Sequence, residues 1–436
     1  MIRALFAGLF LMAASPLWAE VRIAEVTSPG GIRAWLVEDH GIPFTALSLQ
    51  FRGGTSLDAP GKRGAVALMA GLLEEGSAGR DSQGFANARD DLAAQFGFDA
   101  DADGVTVSTR FLTDNRDRAV DLLRGALADP AFDPASVARV RGQILSILQS
   151  NAISPDTIAS ETFAHIVFGD HPYGSHEMGT EDSVKGLTRD DLVAAKAATM
   201  ARDRMYVAAV GDITPAELGI VLDRLLGGLP EKGAPLPARA DPRFSGATRV
   251  VDFDTPQSVV VFGQKGLKLT DPDYYAAMVL DQIVGGSGFT ARLMNEVREK
   301  RGLTYGISTG LVSADLAETW QGGFSSGNDK VAEAIKVVRA VWADTAANGV
   351  TQKELDAAKT YLTGSYPLRF DGNSKIASIL VGMQMQGLPI DYVARRNGLV
   401  EAVTLGQVNR LARRLMTPDA LTFVVVGGPT GLASTR

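Results

Sequence analysis

The chain has 436 residues, of which 45% are hydrophobic, and a net charge of −7; this is the composition of a globular protein with two or more domains. The acidic balance, with no concentrated basic stripe, argues against a nucleic-acid partner. The chain contains no cysteine, which excludes disulfides, thiolate catalysis and metal sites built from cysteine.

The N-terminal residues have the pattern of a secretory signal peptide. Arg3 supplies a positive charge, residues 4–14 form an apolar run, and Ala19 offers a small residue at a cleavage point. The apolar run is shorter than a membrane span, and polar sequence follows it. We therefore predict a signal peptide at 1–19 and a mature periplasmic chain with no membrane span. An uncleaved membrane anchor is the less favoured alternative.

The remainder of the chain has the pattern of one α+β unit that occurs twice. A strand pattern at 43–51 recurs at 257–262, and a strand that ends at Gly211 recurs with its end at Gly427. A hairpin strand is predicted at 104–111. Helical patterns lie between these strands, at 64–75, 82–96, 116–128 and 134–151 in the first half and at 273–284, 291–300, 330–347 and 351–361 in the second. The predicted fold class is α+β, with two homologous tandem domains, each an antiparallel-rich sheet with helices packed on it.

A proline-rich segment separates the two halves. Four prolines fall within residues 229–242, as in a semi-extended linker. We place the N-terminal domain at 20–230, the linker at 231–246 and the C-terminal domain at 247–436. Two similar domains joined in this way suggest a clam-like pair that encloses a cleft, although a duplication alone indicates no chemistry.

The chain lacks the motifs of several common hydrolases. Its histidines are His40, His165, His171 and His176, and none of them forms a His-Glu-x-x-His or His-x-x-Glu-His pair. Two of them lie in 171–177 with a proline and a glycine, a pattern that favours a structural loop over a metal site. There is no Gly-x-Ser-x-Gly elbow, and the glycine run at 285–288 lacks the Gly-Lys-Ser/Thr end of a phosphate loop.

The most informative segment is 293–307. It begins as a charged helix and breaks at Gly302 into a β-branched strand, so that Arg298 and Tyr305 lie seven residues apart across the break. A guanidinium and a phenol held at such a corner could hydrogen-bond a peptide carbonyl. Charged helix ends are common, however, so the local sequence by itself favours an ordinary ion pair of Arg298 with a neighbouring glutamate.

Taken together, several segments resemble the M16 (pitrilysin/insulinase-type) metallopeptidases over essentially the whole mature chain. These segments are 171–180, 205–212, 271–275, 285–293 and 297–305. The resemblance implies paired α+β domains that enclose a chamber for unfolded peptide. In the bacterial and mitochondrial branches of that family, it further implies a dimer of two such chains with one active site.

The chain departs from this family at the zinc site. Active members carry His-x-x-Glu-His on the first long helix, and here the corresponding residues are Ala67, Ala70 and Gly71. Ile147 occupies the position of the third ligand, and Val140 that of a supporting glutamate. Zinc hydrolysis needs three protein ligands, a bound water and a base. The resemblance therefore implies that this chain binds no cofactor and is not a zinc peptidase by itself.

The features that the family uses to bind substrate are retained. The resemblance places Arg298 and Tyr305 in a clamp on the scissile carbonyl, and Gly285, Gly286, Ser287 and Gly288 in a loop that handles substrate. It implies a zinc-free subunit of a periplasmic heterodimeric endopeptidase, similar to the non-catalytic subunit of mitochondrial processing peptidase. The partner would be a homologous M16 subunit that carries His-x-x-Glu-His and zinc. The alternative is a non-enzymatic scaffold or peptide-binding module that retains the fold.

Overall fold

The computed structural model of the chain describes residues 22–286, 288 and 290–435. The predicted signal peptide at 1–19 lies outside the described residues, and so does Ser287 of the predicted substrate loop. The described residues form two sheets with helices packed on them, which confirms the α+β fold class. None of their helices has the length and the apolar composition that crossing a membrane requires.

The first sheet contains six strands among the described residues. They are β1 (Ala24–Thr27), β2 (Arg33–Glu38), β3 (Phe44–Arg52), β4 (Gln95–Ala100), β5 (Gly104–Leu112) and β6 (Met205–Gly211). The second sheet contains β7 (Thr248–Asp252), β8 (Gln257–Lys265), β9 (Ile307–Ser313), β10 (Glu318–Gly327) and β11 (Thr422–Gly427). Successive side chains of a strand point to opposite faces of the sheet. In β3, every second residue, Leu47, Leu49 and Phe51, is therefore buried in the core on one face.

The two sheets have the same strand order, which confirms the predicted duplication. The first is ordered β1-β2-β6-β3-β5-β4 and the second β7-β11-β8-β10-β9, so that β7 to β11 correspond to β2 to β6. In both sheets the first and last of the equivalent strands are paired in parallel, β2 with β6 and β7 with β11. The other equivalent pairs are antiparallel. One supersecondary unit is therefore used twice.

Helices separate the strands of each half. In the first half they are α1 (Ala65–Ala70), α2 (Ser82–Asp91), α3 (Arg116–Ala128), α4 (Pro134–Asn151), α5 (Pro155–Phe168), α6 (Glu181–Lys185), α7 (Arg189–Thr199) and α8 (Pro215–Leu226). In the second they are α9 (Tyr274–Val284), α10 (Val331–Asn348), α11 (Gln352–Ser365), α12 (Asn373–Met385), α13 (Tyr392–Glu401) and α14 (Leu405–Leu415). Capping boxes begin several of them, and that of α11 is made by Thr351 and Glu354.

Two helices of the first half are shorter than their sequence patterns predict. The helix predicted at 64–75 ends at Ala70, because the chain continues in tight turns whose N–H groups bond carbonyls three residues back. The helix predicted at 82–96 ends at Asp91, because the chain then pairs with β5 as strand β4. In the second case, strand pairing overrides a helical periodicity that is local.

The two halves are interlocked by an exchange of equivalent helices. α5 of the first half packs against β8 and β11 of the second sheet, where Phe163 is buried with Val424. α12 of the second half packs against β3 and β6 of the first sheet, where Leu380 is buried with Ala208 and Val210. Each sheet is thus covered on one face by helices of its own half and on the other by a helix of the opposite half.

Polar contacts fasten the turn between β9 and β10 to the first half. Arg52 of β3 donates two hydrogen bonds to the Asp315 carboxylate, at 2.7 and 2.8 Å. Asp103 accepts the N–H of Asp315 at 2.9 Å and also the hydroxyl of Tyr173. Residues 230–247, which contain the predicted linker, form no helix or strand. The exact domain boundaries stay a prediction.

Candidate functional site

Arg298 lies on a π-helix, Met294–Glu299, within the helical pattern predicted at 291–300. A π-helix bonds each N–H to the carbonyl five residues back, which gives it wider turns, and such segments are frequent at functional sites. The structure confirms the predicted helix, and the sequence pattern does not distinguish an α-helix from a π-helix.

The start of this π-helix is fixed to the core of the second half. Arg292 donates two hydrogen bonds to the carboxylate of Glu354 in α11, at 2.7 and 2.9 Å, and one to the carbonyl of Gly349 at 3.0 Å. Burial disfavours the charged form of Glu354, but the hydrogen bonds from Arg292 and Thr351 outweigh this effect and hold the pKa of Glu354 at about 2. The anchor is therefore ionised throughout the neutral pH range.

The chain turns from the π-helix into β9 at Gly302, whose φ of 59° favours glycine. Leu303 and Thr304 are buried against β10. The hydroxyl of Ser326 donates to the carbonyl of Leu303 at 2.6 Å, and that of Thr304 donates to a β10 carbonyl at 2.7 Å. The next side chain, Tyr305, is directed outward and is 85% exposed. A fixed corner thus presents a phenol to solvent.

Arg298 and Tyr305 line one cavity of about 750 Å³, which we call the corner cavity. The Nε atom of Arg298 lies 3.4 Å from the carboxylate of Glu299, and the arginine side chain is 33% exposed. Polar groups dominate the remaining wall, which includes Gln257, Ser325, Ser326, Asp329 and Lys330. The structure therefore places both predicted residues on one polar cavity, where a carbonyl oxygen could accept from a guanidinium and a phenol.

The described glycines of the predicted substrate loop end helix α9. The N–H groups of Gly285 and Gly286 both bond one carbonyl of the last turn, at 2.9 and 2.8 Å. A side chain at Gly285 would collide with Thr309 of β9, so glycine permits the close packing seen here. Gly288 lines a different cavity, of about 590 Å³, beside α11. The glycines are not placed on the corner cavity, and their role with substrate stays a prediction.

The sequence did not reveal a half-buried carboxylate behind this loop. Asp281 of α9 accepts the hydroxyl of Thr309 and the indole N–H of Trp320, both at 2.6 Å, and so joins α9 to β9 and β10. Burial raises the pKa of Asp281, although the two hydrogen bonds favour its charged form. One aspartate in a helical pattern gives no sequence signal of burial, because its partners are distant in the chain.

Replacing Asp281 by asparagine is expected to flatten the pH dependence of stability. An unfolded aspartate loses its proton near pH 4, and the raised pKa of Asp281 makes the folded state keep its proton to higher pH. The contribution of Asp281 to the free energy of unfolding should therefore fall as the pH rises from about 4 through the pKa of Asp281 in the folded protein. Asparagine can accept both hydrogen bonds through its amide oxygen and does not titrate. Urea unfolding between about pH 4 and 7 measures the difference, and equal slopes in both proteins would contradict the expectation.

The positions of the family's zinc ligands do not fit a zinc ion. Ala67 and Ala70 of α1 carry no donor atom, and a side chain on Gly71 would lie 3.2 Å from Val140 of α4, because the two segments pack closely there. Ile147 of α4 is 42% exposed and likewise offers no ligand. Within the described ranges, no group of three or more histidine, cysteine or acidic side chains is arranged to hold a metal ion.

The histidine-containing loop at 171–177 has a structural role. The Nδ1 atom of His171 accepts the N–H of Tyr173 at 3.2 Å, and that of His176 accepts the N–H of Met178 at 3.0 Å. Each imidazole thus caps a turn two residues ahead of it. This arrangement agrees with the structural loop that the proline and the glycine of the segment favour.

Two family models match the chain. Insulinase (Peptidase family M16) matches residues 33–181, and the Peptidase M16 inactive domain matches residues 186–362. A crystal structure of a peptidase M16 inactive domain from Pseudomonas fluorescens is 30% identical, with a TM-score of 0.87, and the match covers 94% of this chain and 98% of that chain. The chain belongs to the M16 peptidase family.

Relatives within the family differ in how they are named. The non-peptidase homolog YmxG of Helicobacter pylori is 26% identical over 391 residues, which cover 89% of this chain and 90% of that protein. An uncharacterized zinc protease of Bacillus subtilis is 23% identical over 415 residues, which cover 93% of this chain and 99% of that protein. The missing zinc ligands and the likeness to inactive and non-peptidase members support a non-catalytic M16 subunit.

Proposed function

We propose that the chain is the zinc-free, substrate-binding subunit of a periplasmic heterodimeric endopeptidase of this family. One observation carries the proposal: Arg298 and Tyr305 share a polar cavity, while the zinc-ligand positions hold side chains without donor atoms. A chain of this kind contributes to peptide hydrolysis only together with a second chain. The partner is then a homologous M16 subunit with His-x-x-Glu-His, and zinc binds there.

The guanidinium of Arg298 and the phenol of Tyr305 act on the carbonyl of the bond to be cleaved. Both groups are hydrogen-bond donors at neutral pH. Hydrogen bonds from these donors strengthen when the carbonyl oxygen gains negative charge during attack by water. This chain therefore orients an unfolded peptide in the corner cavity and stabilises the oxyanion, while the residues that activate water belong to the partner.

The exposure of Tyr305 supports the need for a partner. At 85% exposure in the isolated chain, its hydroxyl is surrounded by solvent, where a hydrogen bond to an oxyanion contributes little. A second subunit that covers the corner cavity would exclude water and strengthen each electrostatic contact inside it. The corner is thus a site that becomes effective on assembly.

Mixing the purified chain with an M16 chain from the same organism that contains His-x-x-Glu-His should produce peptidase activity that neither protein has alone. Cleavage of an unfolded peptide is the measurement, and alanine in place of the glutamate of the partner's motif is the control that should abolish it. Full activity of the partner by itself would contradict the proposal. A homodimer that binds unfolded peptide and activates no M16 partner would instead favour the scaffold.

A further inference from the structure

A second polar cavity, of about 290 Å³, lies on the first sheet beside α12. Strands β3, β4 and β5 form its floor, and Ser374 and Ser378 of α12 form part of its wall. Its floor belongs to the first sheet, whereas the corner cavity lies in the second half, and the two cavities share no lining residue. We call it the α12 cavity. Three features of this cavity indicate the chemistry of a ligand: a buried hydroxyl, an arginine and a helix N-terminus.

The first feature is a buried hydroxyl on the floor. Ser48 of β3 pairs directly with Ala208 of β6, and Ala208 is buried in the cluster formed with α12. Because directly paired residues of neighbouring strands point to the same face, the Ser48 hydroxyl points to the α12 side. Ser48 is only 2% exposed, and its oxygen has no hydrogen-bond partner among the described residues. An unpartnered buried hydroxyl is costly, and a ligand in the α12 cavity would offset this cost by bonding it.

The second feature is the positive charge of the lining. Arg110 of β5 pairs with Ala46 of β3, which in turn pairs with Val210 of the α12 cluster, so Arg110 lies on the same face as Ser48. No acidic side chain lines the cavity among the residues that the structure describes. A guanidinium without a competing carboxylate in the same cavity favours an anionic ligand.

The third feature is the N-terminus of α12. The helix begins after Gly372 without a side-chain cap, and Ser374 of its first turn lines the cavity. The first N–H groups of a helix have no partner within the helix and carry a partial positive charge. The first turn of α12, the Arg110 guanidinium and the Ser48 hydroxyl thus supply donors around one cavity, and a ligand with acceptor oxygens could bond them.

We propose that the α12 cavity binds a carboxylate, either the C-terminus of a peptide or a short free acid. A carboxylate is planar, accepts several hydrogen bonds and pairs with arginine through both oxygens. A cavity of about 290 Å³ is at the lower end of ligand-binding sites, so it admits a short acid or the last residues of a peptide. Binding here requires neither the partner subunit nor Arg298, and it stands independently of the proposed peptidase role.

Calorimetric titration of the purified chain at neutral pH tests the site. The probes are N-acetyl-trialanine, which ends in a free carboxylate, its C-terminal amide, and acetate. The acid should bind with one-to-one stoichiometry and at least about tenfold more tightly than the amide, because the amide loses charge-assisted hydrogen bonds. If acetate displaces the acid peptide at a concentration similar to that of the peptide, the ligand is a free acid. If the acid peptide binds more tightly than acetate, the ligand is a peptide C-terminus. Equal binding of acid and amide, or no saturable binding at millimolar concentration, would overturn the assignment.

Two variants locate the binding. Arg110→Gln should weaken binding of the acid peptide roughly tenfold or more, whereas Arg118→Gln, on α3 at the opposite face of the sheet, should leave it unchanged. Ser48→Ala should weaken binding and also raise the thermal midpoint of the ligand-free chain, because it removes an unpartnered buried hydroxyl. Unaltered affinity in both Arg110→Gln and Ser48→Ala would contradict the proposal, and so would a lowered midpoint of Ser48→Ala in the absence of ligand.

Discussion

Arg298→Ala in the reconstituted heterodimer is expected to lower kcat by roughly 10²-fold, as the loss of an oxyanion donor does in other hydrolases. The guanidinium is placed by a π-helix whose start is anchored by Arg292 on Glu354. Tyr305→Phe removes only the phenolic oxygen from the corner, and we expect a loss of similar size. The readout is the steady-state rate with an unfolded peptide at saturating concentration.

The division of the loss between kcat and KM shows what the clamp does. If the two donors bond the oxyanion more strongly than the ground-state carbonyl, kcat falls and KM changes little. If they only hold the peptide, KM rises and kcat is retained. The double variant should lose less than the product of the single losses, because both donors act on one oxygen atom.

Matched control variants distinguish a loss of the clamp from a loss of stability in the segment that carries it. Arg301→Ala removes a neighbouring arginine that bonds Glu296 at 2.7 Å and does not line the corner cavity. Tyr206→Phe removes a phenol from β6 in the first sheet, and Tyr206 does not line the corner cavity. Both controls should keep nearly full activity. Unchanged rates for Arg298→Ala combined with Tyr305→Phe would remove the clamp from the mechanism and leave only a scaffolding role.

Helices and strands of this fold are predictable from sequence where a hydrophobic periodicity and a start signal lie in the same segment. Helices α3 and α4 have the predicted bounds, 116–128 and 134–151, because a 3.6-residue periodicity coincides with clear start signals. α4 begins at Pro134 behind Asp133, whose carboxylate accepts two N–H groups of the first turn. The repeated strand patterns likewise predict the duplication, since each strand keeps one buried face.

Contacts between distant segments are not predictable in this way. The sequence patterns did not predict helices α5 and α12. An amphipathic pattern also does not indicate which sheet a helix packs against. The same holds for Asp281 and Ser48, whose burial depends on strands that pair only in the folded chain. Arg298 and Tyr305 are predicted as a candidate site because they lie on one short segment, seven residues apart, that resembles the M16 family, whereas the local sequence by itself favours an ordinary ion pair.

Leu380→Ala is expected to destabilise the first half although the residue belongs to the second. Leu380 of α12 is 0% exposed and is buried with Ala208 and Val210 of the first sheet. Leucine-to-alanine changes in packed cores cost about 2–5 kcal/mol. Because α12 covers β3 and β6, that loss should appear in the strands of the first sheet.

Amide hydrogen exchange resolves where the loss falls. In Leu380→Ala, exchange in β6 (Met205–Gly211) should become faster, since opening of α12 removes its cover. Leu355→Ala deletes an equally buried side chain from α11, inside the core of the second half. It should reduce stability by a similar amount but leave the protection of β6 closer to that of the unaltered chain.

A substitution in α5 should affect the second sheet in the same way. Phe163→Ala in α5 removes a ring buried with Val424 of β11, at a cost of about 3–5 kcal/mol, and should expose the second sheet to exchange. If each variant affected only the half of the chain in which it lies, the two halves would be independent units. If each affects the opposite sheet, the exchanged helices make the chain unfold as one body, which keeps the corner cavity in a fixed position relative to the first half.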